Sequence, residues 1–539
     1  MPRRVLPLCI GVAAFFAISF SSPAQQVTAA ITGKVTDPSG APIAGAKVTA
    51  TDTARGTQWP TTTNSDGAFN LPRLPISTYN VKITKTGFAT STQSNILLQL
   101  NQVARLDIQM QLGSVSQTIE VTSAAPLLQT QSTQIGEVIN AATNVSLPLA
   151  TRNYVQLTLL APGSVNPNPS SFKSGLATSS SGRPNVNGNR EQANNFILDG
   201  LENNQVSDNL VGYAPAVDAI AEFNEITLTA PADFGNYMGG IINASTKSGT
   251  NSFHGDAYEF FRNDKLNANS WSNNFNGLSR SITRWNNFGG SLGGPIKKNK
   301  LFFFADYQGS RLDTPPSART TTVYTALERT GNFSEAGVQL YDPRSSVNGG
   351  PRLPYANDTI PSSEFSSAAA KILSSQYYPQ PTSPGLLNNL VYSQHTYING
   401  DQGDARIDYN ISDSDRIFGR YSQSSYTNPT INTGAPLLYN SFANYPTHTG
   451  MLDWVHNVGP TLVNEARFGV NYVFINNGAA TNSVPANFAQ SVGIPDVPSA
   501  FLPSMSLSGG NVSSFGTSDI YQLFADTTIQ AGDSVILTV

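Results

Sequence analysis

Along most of this chain hydrophobic and polar residues alternate one by one, the period-two pattern of strands with one buried face. In residues 30–112 the alternating runs are short and turns are frequent. Ile31-Thr32-Gly33-Lys34-Val35 alternates and Asp37-Pro38-Ser39-Gly40 turns. Residues 46–50 alternate again, Asn64-Ser65-Asp66-Gly67 makes a tight turn into 68–71, and Tyr79, Val81 and Ile83 share one face. About seven short strands with turn signals between them predict a small β-sandwich.

The next stretch is mixed. Phe196-Ile197-Leu198 reads as a strand ended by an Asp199-Gly200 turn. Val217, Ile220 and Ala221 stand at helical spacing and predict a short helix over 215–223. Residues 239–246 read as a buried strand whose glycines admit close approach, and Lys247-Ser248-Gly249-Thr250-Asn251 as a polar turn out of it. Residues 167–181 are rich in Ser and Pro and read as a mobile connection.

Beyond residue 250 the runs lengthen and pair. Residues 286–294 face 301–310 across 295–300, 404–411 face 416–424 across 412–415, and 450–458 face 462–474 across 459–461. Long polar stretches separate these hairpins: 262–285, 311–401, 425–449 and 475–518. Short turns at one end and long loops at the other predict a transmembrane antiparallel barrel. The alternation sets Ala405, Ile407 and Tyr409 toward lipid and Asp404, Arg406 and Asp408 toward the lumen. In the neighbouring strand Ile417, Gly419 and Tyr421 oppose Arg416, Phe418 and Arg420. The run gives about eight strands and a shortened ninth at 534–539, fewer than the roughly 22 of barrels with a plugged lumen. Val539 stands where an aromatic residue usually ends such barrels, so the expectation is a fragment or a shortened reading frame.

Composition agrees with strands and polar loops: the 539 residues are 39% hydrophobic and only 12% charged, below the roughly 25% usual in soluble domains. A net charge of -4 provides no basic footprint for nucleic acid. Residues 1–24 read as a cleaved export signal, with Arg3 and Arg4, an apolar run over 5–20 broken by Pro7, and Ser22-Pro23-Ala24. The single cysteine, Cys9, lies in it, so the exported chain has no disulfide, and Leu8 makes Cys9 a poor lipidation site.

Catalytic motifs fail on context. Gly289-Gly290-Ser291-Leu292-Gly293 matches the nucleophile-elbow spacing but continues a strand rather than turning into a helix. None of His254, His395, His448 and His456 has Glu three residues on, so a zinc peptidase pair is missing. The expectation is no catalytic residue, no metal and no cofactor.

Several segments resemble known families. Gly33-Lys34-Val35-Thr36-Asp37, Pro42-Ile43-Ala44-Gly45-Ala46 and Asp66-Gly67-Ala68-Phe69 resemble the carboxypeptidase regulatory-like domain, a sandwich grouped with transthyretin-like and starch-binding-like folds. Its simplest reading is a spacer or docking module; carbohydrate binding is implied only by the grouping. Residues 239–255, Gly-Gly-Ile-Ile-Asn-Ala-Ser-Thr-Lys-Ser-Gly-Thr-Asn-Ser-Phe-His-Gly, resemble the plug–barrel junction of TonB-dependent outer-membrane receptors of the Oar-like branch. Leu147-Pro148-Leu149-Ala150-Thr151-Arg152-Asn153-Tyr154, residues 157–163, Asn187-Gly188-Asn189-Arg190, Asn194-Asn195-Phe196-Ile197-Leu198-Asp199-Gly200 and residues 217–223 resemble plug blocks in the family's order. Gln117-Thr118-Ile119-Glu120-Val121-Thr122 resembles a TonB box, a β-prone segment that adds to a partner's sheet edge; an eighth sandwich strand is the alternative.

The resemblance implies a mainly β chain: signal 1–24, sandwich 25–113, TonB-box linker 114–132, α+β plug 133–248, and the first part of a barrel over 249–539. It implies a receptor that binds an extracellular ligand and imports it with inner-membrane energy delivered through TonB, with outer-membrane lipid around the barrel. Siderophore, glycan and peptide ligands all remain open. The rival function is an outer-membrane adhesion or carbohydrate-binding protein with the sandwich as binding module.

Overall fold

The computed structural model describes residues 28–114, 118–122, 133–149, 151–166, 182–275, 277, 279–459, 461–480, 484–485, 487–497, 501–506, 512–517 and 522–537. The expected export signal with Cys9, the 167–181 connection, Ala150 and Val539 lie outside the described residues.

The sandwich forms as its alternation requires. Strands β1 (Ala29–Thr36), β2 (Lys47–Asp52), β3 (Gln58–Thr62), β4 (Ala68–Leu74), β5 (Ser77–Thr84), β6 (Thr90–Leu98), β7 (Val103–Arg105) and β8 (Ile108–Gln109) divide between two sheets. A further strand, β9 (Thr118–Thr122), runs parallel to β6 as the edge of the order β3-β2-β5-β6-β9. Ile31, Val48, Tyr79, Val81, Ile83 and Leu98 interdigitate between the sheets, and Trp59 meets Tyr79 edge-on at 5.5 Å. Asn64 Oδ1 accepts from the amides of Asp66 and Ala68, holding the tight turn the sequence places there.

The middle region packs around a second core containing Tyr154, Phe196, Leu198, Phe223, Ile242 and Ala244. Its strands are β10 (Ile135–Asn140), β11 (Ser164–Val165), β12 (Asn185–Val186), β13 (Asn195–Leu198), β14 (Leu201–Glu202), β15 (Ile220–Leu228) and β16 (Ile241–Thr246). Five of them make a sheet of order β10-β15-β16-β13-β14, with β16 parallel to β13 and antiparallel to β15. The expected helix over 215–223 is corrected: only Val217–Ala219 turns helically, and Ile220 already begins β15. The i, i+3, i+4 spacing of small and β-branched residues is equally met by a turn feeding a buried strand, and pairing with both β10 and β16 decides for the strand.

The rest is one antiparallel ten-stranded sheet. Its members are β17 (His254–Asn263), β18 (Arg284–Lys297), β19 (Leu301–Thr321), β20 (Leu390–Asn410), β21 (Asp415–Thr427), β22 (Thr430–Thr433), β23 (Asn440–Asn444), β24 (Thr447–Gly459), β25 (Leu462–Ala480) and β26 (Gln522–Leu537). The three expected hairpins form, with their short turns at one end. Ala405, Ile407 and Tyr409 pair with Tyr421, Gly419 and Ile417 on the outer face, where Ile407 and Tyr421 are exposed. Asp404 and Arg420 are buried on the inner face.

Two extents are corrected. The expected loop 311–401 shrinks to 322–389, because β19 and β20 stay paired from Leu301↔Tyr409 to Thr321↔Leu390. At about 3.4 Å per residue these 21-residue strands extend on the order of 70 Å, beyond a hydrocarbon core of about 30 Å. The distal half of β19 is Thr-rich and contains Pro315 and Pro316, and that of β20 mixes Leu390, Val391, Tyr392 and Ile398 with polar residues out of strict alternation, which hides both from a reading based on hydrophobic alternation. Likewise the shortened strand expected at 534–539 is a 16-residue strand, Gln522–Leu537, fully paired with β25. At the long-loop end Val323, Ile372, Tyr378, Leu437, Phe488 and Leu502 build a third core that folds the loops into a cap.

Candidate plug–barrel–sandwich junction

The site lies where β13 turns into β14. Asp199 and Gly200 both adopt positive φ (49° and 87°), so the chain reverses within two residues and aims the Asp199 carboxylate out of the plug toward the inner wall of the large sheet. Within the plug, Asp199 accepts from the amide of Thr246 at 2.9 Å and its hydroxyl at 2.8 Å. From the wall, Arg420 Nε stands 2.8 Å away and Arg406 Nη1 3.3 Å away. Arg420 is in ion-pair contact without hydrogen-bond alignment. Arg406 also pairs with Asp408 at 2.8 Å and lies over the Phe418 ring at 4.1 Å. Ser248 Oγ donates to Asp408 and Tyr213 OH to Asp404, adding plug-to-wall bonds of 2.8 and 2.9 Å.

A second contact joins plug and wall through aromatic rings. Arg152, ion-paired with Asp218 inside the plug, lies 4.0 Å above Phe260 of β17. A cation buried against a ring and a carboxylate together is strongly held. Asn471 Nδ2 and Gln530 Nε2 both donate to the Glu202 carbonyl, at 2.6 and 2.7 Å.

The sandwich reaches the same place from the short-turn end. Arg73 Nη1 lies 2.9 Å from Glu465 Oε2, both buried, and Glu465 pairs in turn with Arg467. Leu100 donates its amide to Glu222 of the plug at 2.6 Å. Burial raises the Glu222 carboxyl from 4.5 to about 7 despite that bond, and raises Glu225 beside it to about 8. Burial also lowers the Arg73 guanidinium, with Glu465 opposing the shift. Between the three bodies remains a cavity of about 140 Å³, bounded by Arg55, Trp59, Arg73, Asp199, Thr246 and Arg416 among others.

The stretch singled out in the sequence is the physical node. Lys247 donates its amide to Ala219 within the plug, and Ser248 bonds the wall through Asp408. Gly249 has no room for a side chain: a Cβ there would sit 2.4 Å from the Phe303 carbonyl oxygen and 2.6 Å from that of Gly294. Its own carbonyl accepts from Arg55 Nε at 3.2 Å. The Thr250 hydroxyl donates to the Ser252 carbonyl, while Asn251 exchanges two bonds with Asn299 and donates its amide to Ala54 of the sandwich at 3.0 Å.

Other expected residues sit elsewhere. Asn187 and Gly188 form a left-handed turn, tied through Asn187 Nδ2 to the Thr227 carbonyl at 2.7 Å, and Arg190 is exposed. These shape the plug and do not meet the junction. Thr118, Ile119, Glu120, Val121 and Thr122 form β9 beside β6 of the sandwich, and among the described residues its other side is a sheet edge. The Gly-x-Ser-x-Gly residues lie inside β18, so the strand-to-helix turn of an elbow is not made. Among the described residues no group of His, Cys, Asp and Glu has metal-binding geometry. Sequence reasoning did not single out Arg73, Trp59 or Glu465 as contacts; the one available signal was a charged residue at an inward position of its strand.

Comparison with known proteins adds the following. An outer membrane beta barrel domain model matches residues 245–539, and a carboxypeptidase regulatory-like domain model matches 30–111. The chain is 28% identical over 313 residues to the TonB-dependent transporter Oar of Myxococcus xanthus, a match covering 56% of this chain and 28% of that relative. The chain therefore spans well under half the length of the curated relative it matches. Solved structures with similarity include the outer membrane transporter YddB from Escherichia coli, with TM-score 0.34 and 12% identity over 75% of this chain and 54% of that one. The siderophore receptor PirA from Acinetobacter baumannii gives TM-score 0.31 and 11% identity over 64% of this chain and 45% of that one.

Proposed function

The chain belongs to the outer membrane beta barrel domain family, and from that premise we propose that it works as a TonB-dependent receptor that takes up an extracellular ligand. The observation carrying this reading is the plug held against the inner wall of the barrel sheet by Asp199 between Arg406 and Arg420. A buried carboxylate between two guanidinium groups holds the plug while paired and leaves a large uncompensated charge when the plug moves. Such a contact suits a gate that stays shut until work is done on it. A permanent lipid anchor for an adhesin has no need of a plug.

In this reading the loop cap faces the exterior and the short turns and sandwich face the periplasm. Residues 118–122 are the coupling segment, and TonB adds a strand along the side of β9 that is unpaired among the described residues. Main-chain pairing supplies the affinity, so a loosely defined sequence suffices. The ligand, whether siderophore, glycan or peptide, is met by loops and plug apex.

The test uses the full chain in detergent and the periplasmic domain of TonB as probe. Capture of the probe by the intact chain, lost on deletion of residues 117–123, is the expected result. Equal capture with and without those residues would sink the coupling assignment. In cells the same deletion should abolish uptake and leave surface adhesion intact; loss of adhesion alone would favour the binding-protein reading.

A further inference from the structure

We propose that the N-terminal sandwich is a periplasmic stopper: docked on the short-turn mouth of the barrel through Arg55, Trp59 and Arg73, it closes the exit beneath the plug and must lift before the plug can release anything. The docking stands on contacts alone; only its consequence for release rests on the transporter reading.

The contacts come from separate sandwich segments and reach several barrel hairpins. Arg416, just past the β20–β21 turn, donates to the Gln58 carbonyl at 2.9 Å and lies 4.5 Å over the Trp59 ring. Asn410 donates to the Thr57 hydroxyl at 2.8 Å. Arg55 and Ala54 hold the plug–barrel junction at Gly249 and Asn251. Arg73 reaches Glu465 on β25 and the Ser534 hydroxyl on β26. A freely tethered spacer would keep its arginines in water; here Arg73 is 6% exposed.

Arg73 carries a further sign of purpose. Its φ is 58°, a left-handed conformation that a bulky residue rarely adopts. That backbone turns the guanidinium out of the sandwich toward Glu465. The position falls where β4 carries one extra residue opposite Ala29–Ile31, and a bulge of this kind re-aims a side chain, here toward another domain.

The topology also says how the stopper is lifted. The docked strand β3, which bears Gln58 and Trp59, is one edge of the order β3-β2-β5-β6-β9, and the coupling strand β9 is the opposite edge. A partner strand added to β9 therefore grips the sandwich on the side away from the barrel. Pulling there loads the docked contacts through the sheet before tension reaches the plug. The cavity between Trp59, Arg73 and Asp199 is the space left beneath the plug.

The test is thiol accessibility in the full purified chain, with Cys9→Ser removing the only native cysteine. Ser245, which lines that cavity, is replaced as S245C and challenged with a bulky maleimide. The expected result is labelling about thirty- to a hundred-fold slower than in S245C carrying R55A and R416A, the effect of losing two or three net hydrogen-bond contacts. A second chain carries A54C and N251C, whose backbones already meet at 3.0 Å, oxidised to a disulfide before S245C is challenged. That lock should slow labelling further, and it needs no weakening substitution. Equal rates in the intact, weakened and locked chains would overturn the proposal. Neither ligand nor energy transducer takes part, so this result is independent of whether uptake is ever observed.

Discussion

At Asp199 a single carboxylate faces two guanidinium groups with little water to share the charge. Asp199→Ala leaves Arg406 and Arg420 buried without a carboxylate from the plug, and the expected loss is about 3–5 kcal/mol. Urea unfolding of the purified chain measures it; an unchanged midpoint would show that Asp404 and Asp408 compensate fully. Glu222 and Glu225 make a prediction with a sign. Burial raises both folded-state carboxyls, to about 7 and about 8 from 4.5, so between those values the folded plug binds more protons than the unfolded chain. Their contribution is fully present below about 4.5 and is lost as pH rises through 7 to 8, at roughly 1.4 kcal/mol per pH unit per group. Tm measured at pH 5 and pH 8 should fall more steeply for the parent than for E222Q/E225Q. Parallel slopes in parent and variant would contradict the burial argument. The residues of this site were legible one at a time and not as a set. Asp199 stood out as a turn residue, and Arg406, Asp408 and Arg420 as inward positions. That all four meet follows from the depth at which the plug sits, which no local pattern encodes.

Among the elements, strand alternation was the most legible feature, because side-chain period two is a property of the backbone and survives any tertiary context. It located the three hairpins and divided lipid-facing from lumen-facing residues correctly between Asp404 and Tyr421. It failed where the alternation itself breaks down, in the distal halves of β19 and β20, and where a short helical turn leads into a strand at Ile220. Outward residues should behave as lipid contacts: Leu452→Arg, at an exposed position of β24, should cost about 2–4 kcal/mol near the bilayer midplane. The fraction of chain folded in vesicles reads this directly. No loss on Leu452→Arg would mean that this face is not in hydrocarbon. The junction glycine gives a sharper test. Gly249→Ala forces a methyl onto two carbonyl oxygens, so the plug–barrel connection should lose stability even though alanine is small. A parent-like urea midpoint for that variant would mean that the two carbonyls can move aside.

For the whole molecule, the ten-stranded sheet has β17 and β26 as its edges, each paired on one side among the described residues. Their outward amides should exchange with deuterium fastest in the sheet, while β19 and β20, paired on both sides, exchange slowest. Uniform protection across all these strands would mean that the edges are covered in solution. The sandwich, plug and sheet meet at residues 247–251, so damage at that stretch should be felt by all three.

The plug was readable only through its resemblance to known blocks, whereas the sandwich, from short alternating runs, and the long hairpins with lopsided connections were readable from the chain itself. Those are local properties, written in side-chain period, turn chemistry and the placing of glycine. Which surfaces touch was settled by the fold. The pairing of Asp199 with Arg406 and Arg420, and of Arg73 with Glu465, joins residues hundreds of positions apart. Charge attracts by distance in space and not along the chain, and burial removes the water that would otherwise screen it. The sequence shows each of these charges, and the fold alone brings them together out of water.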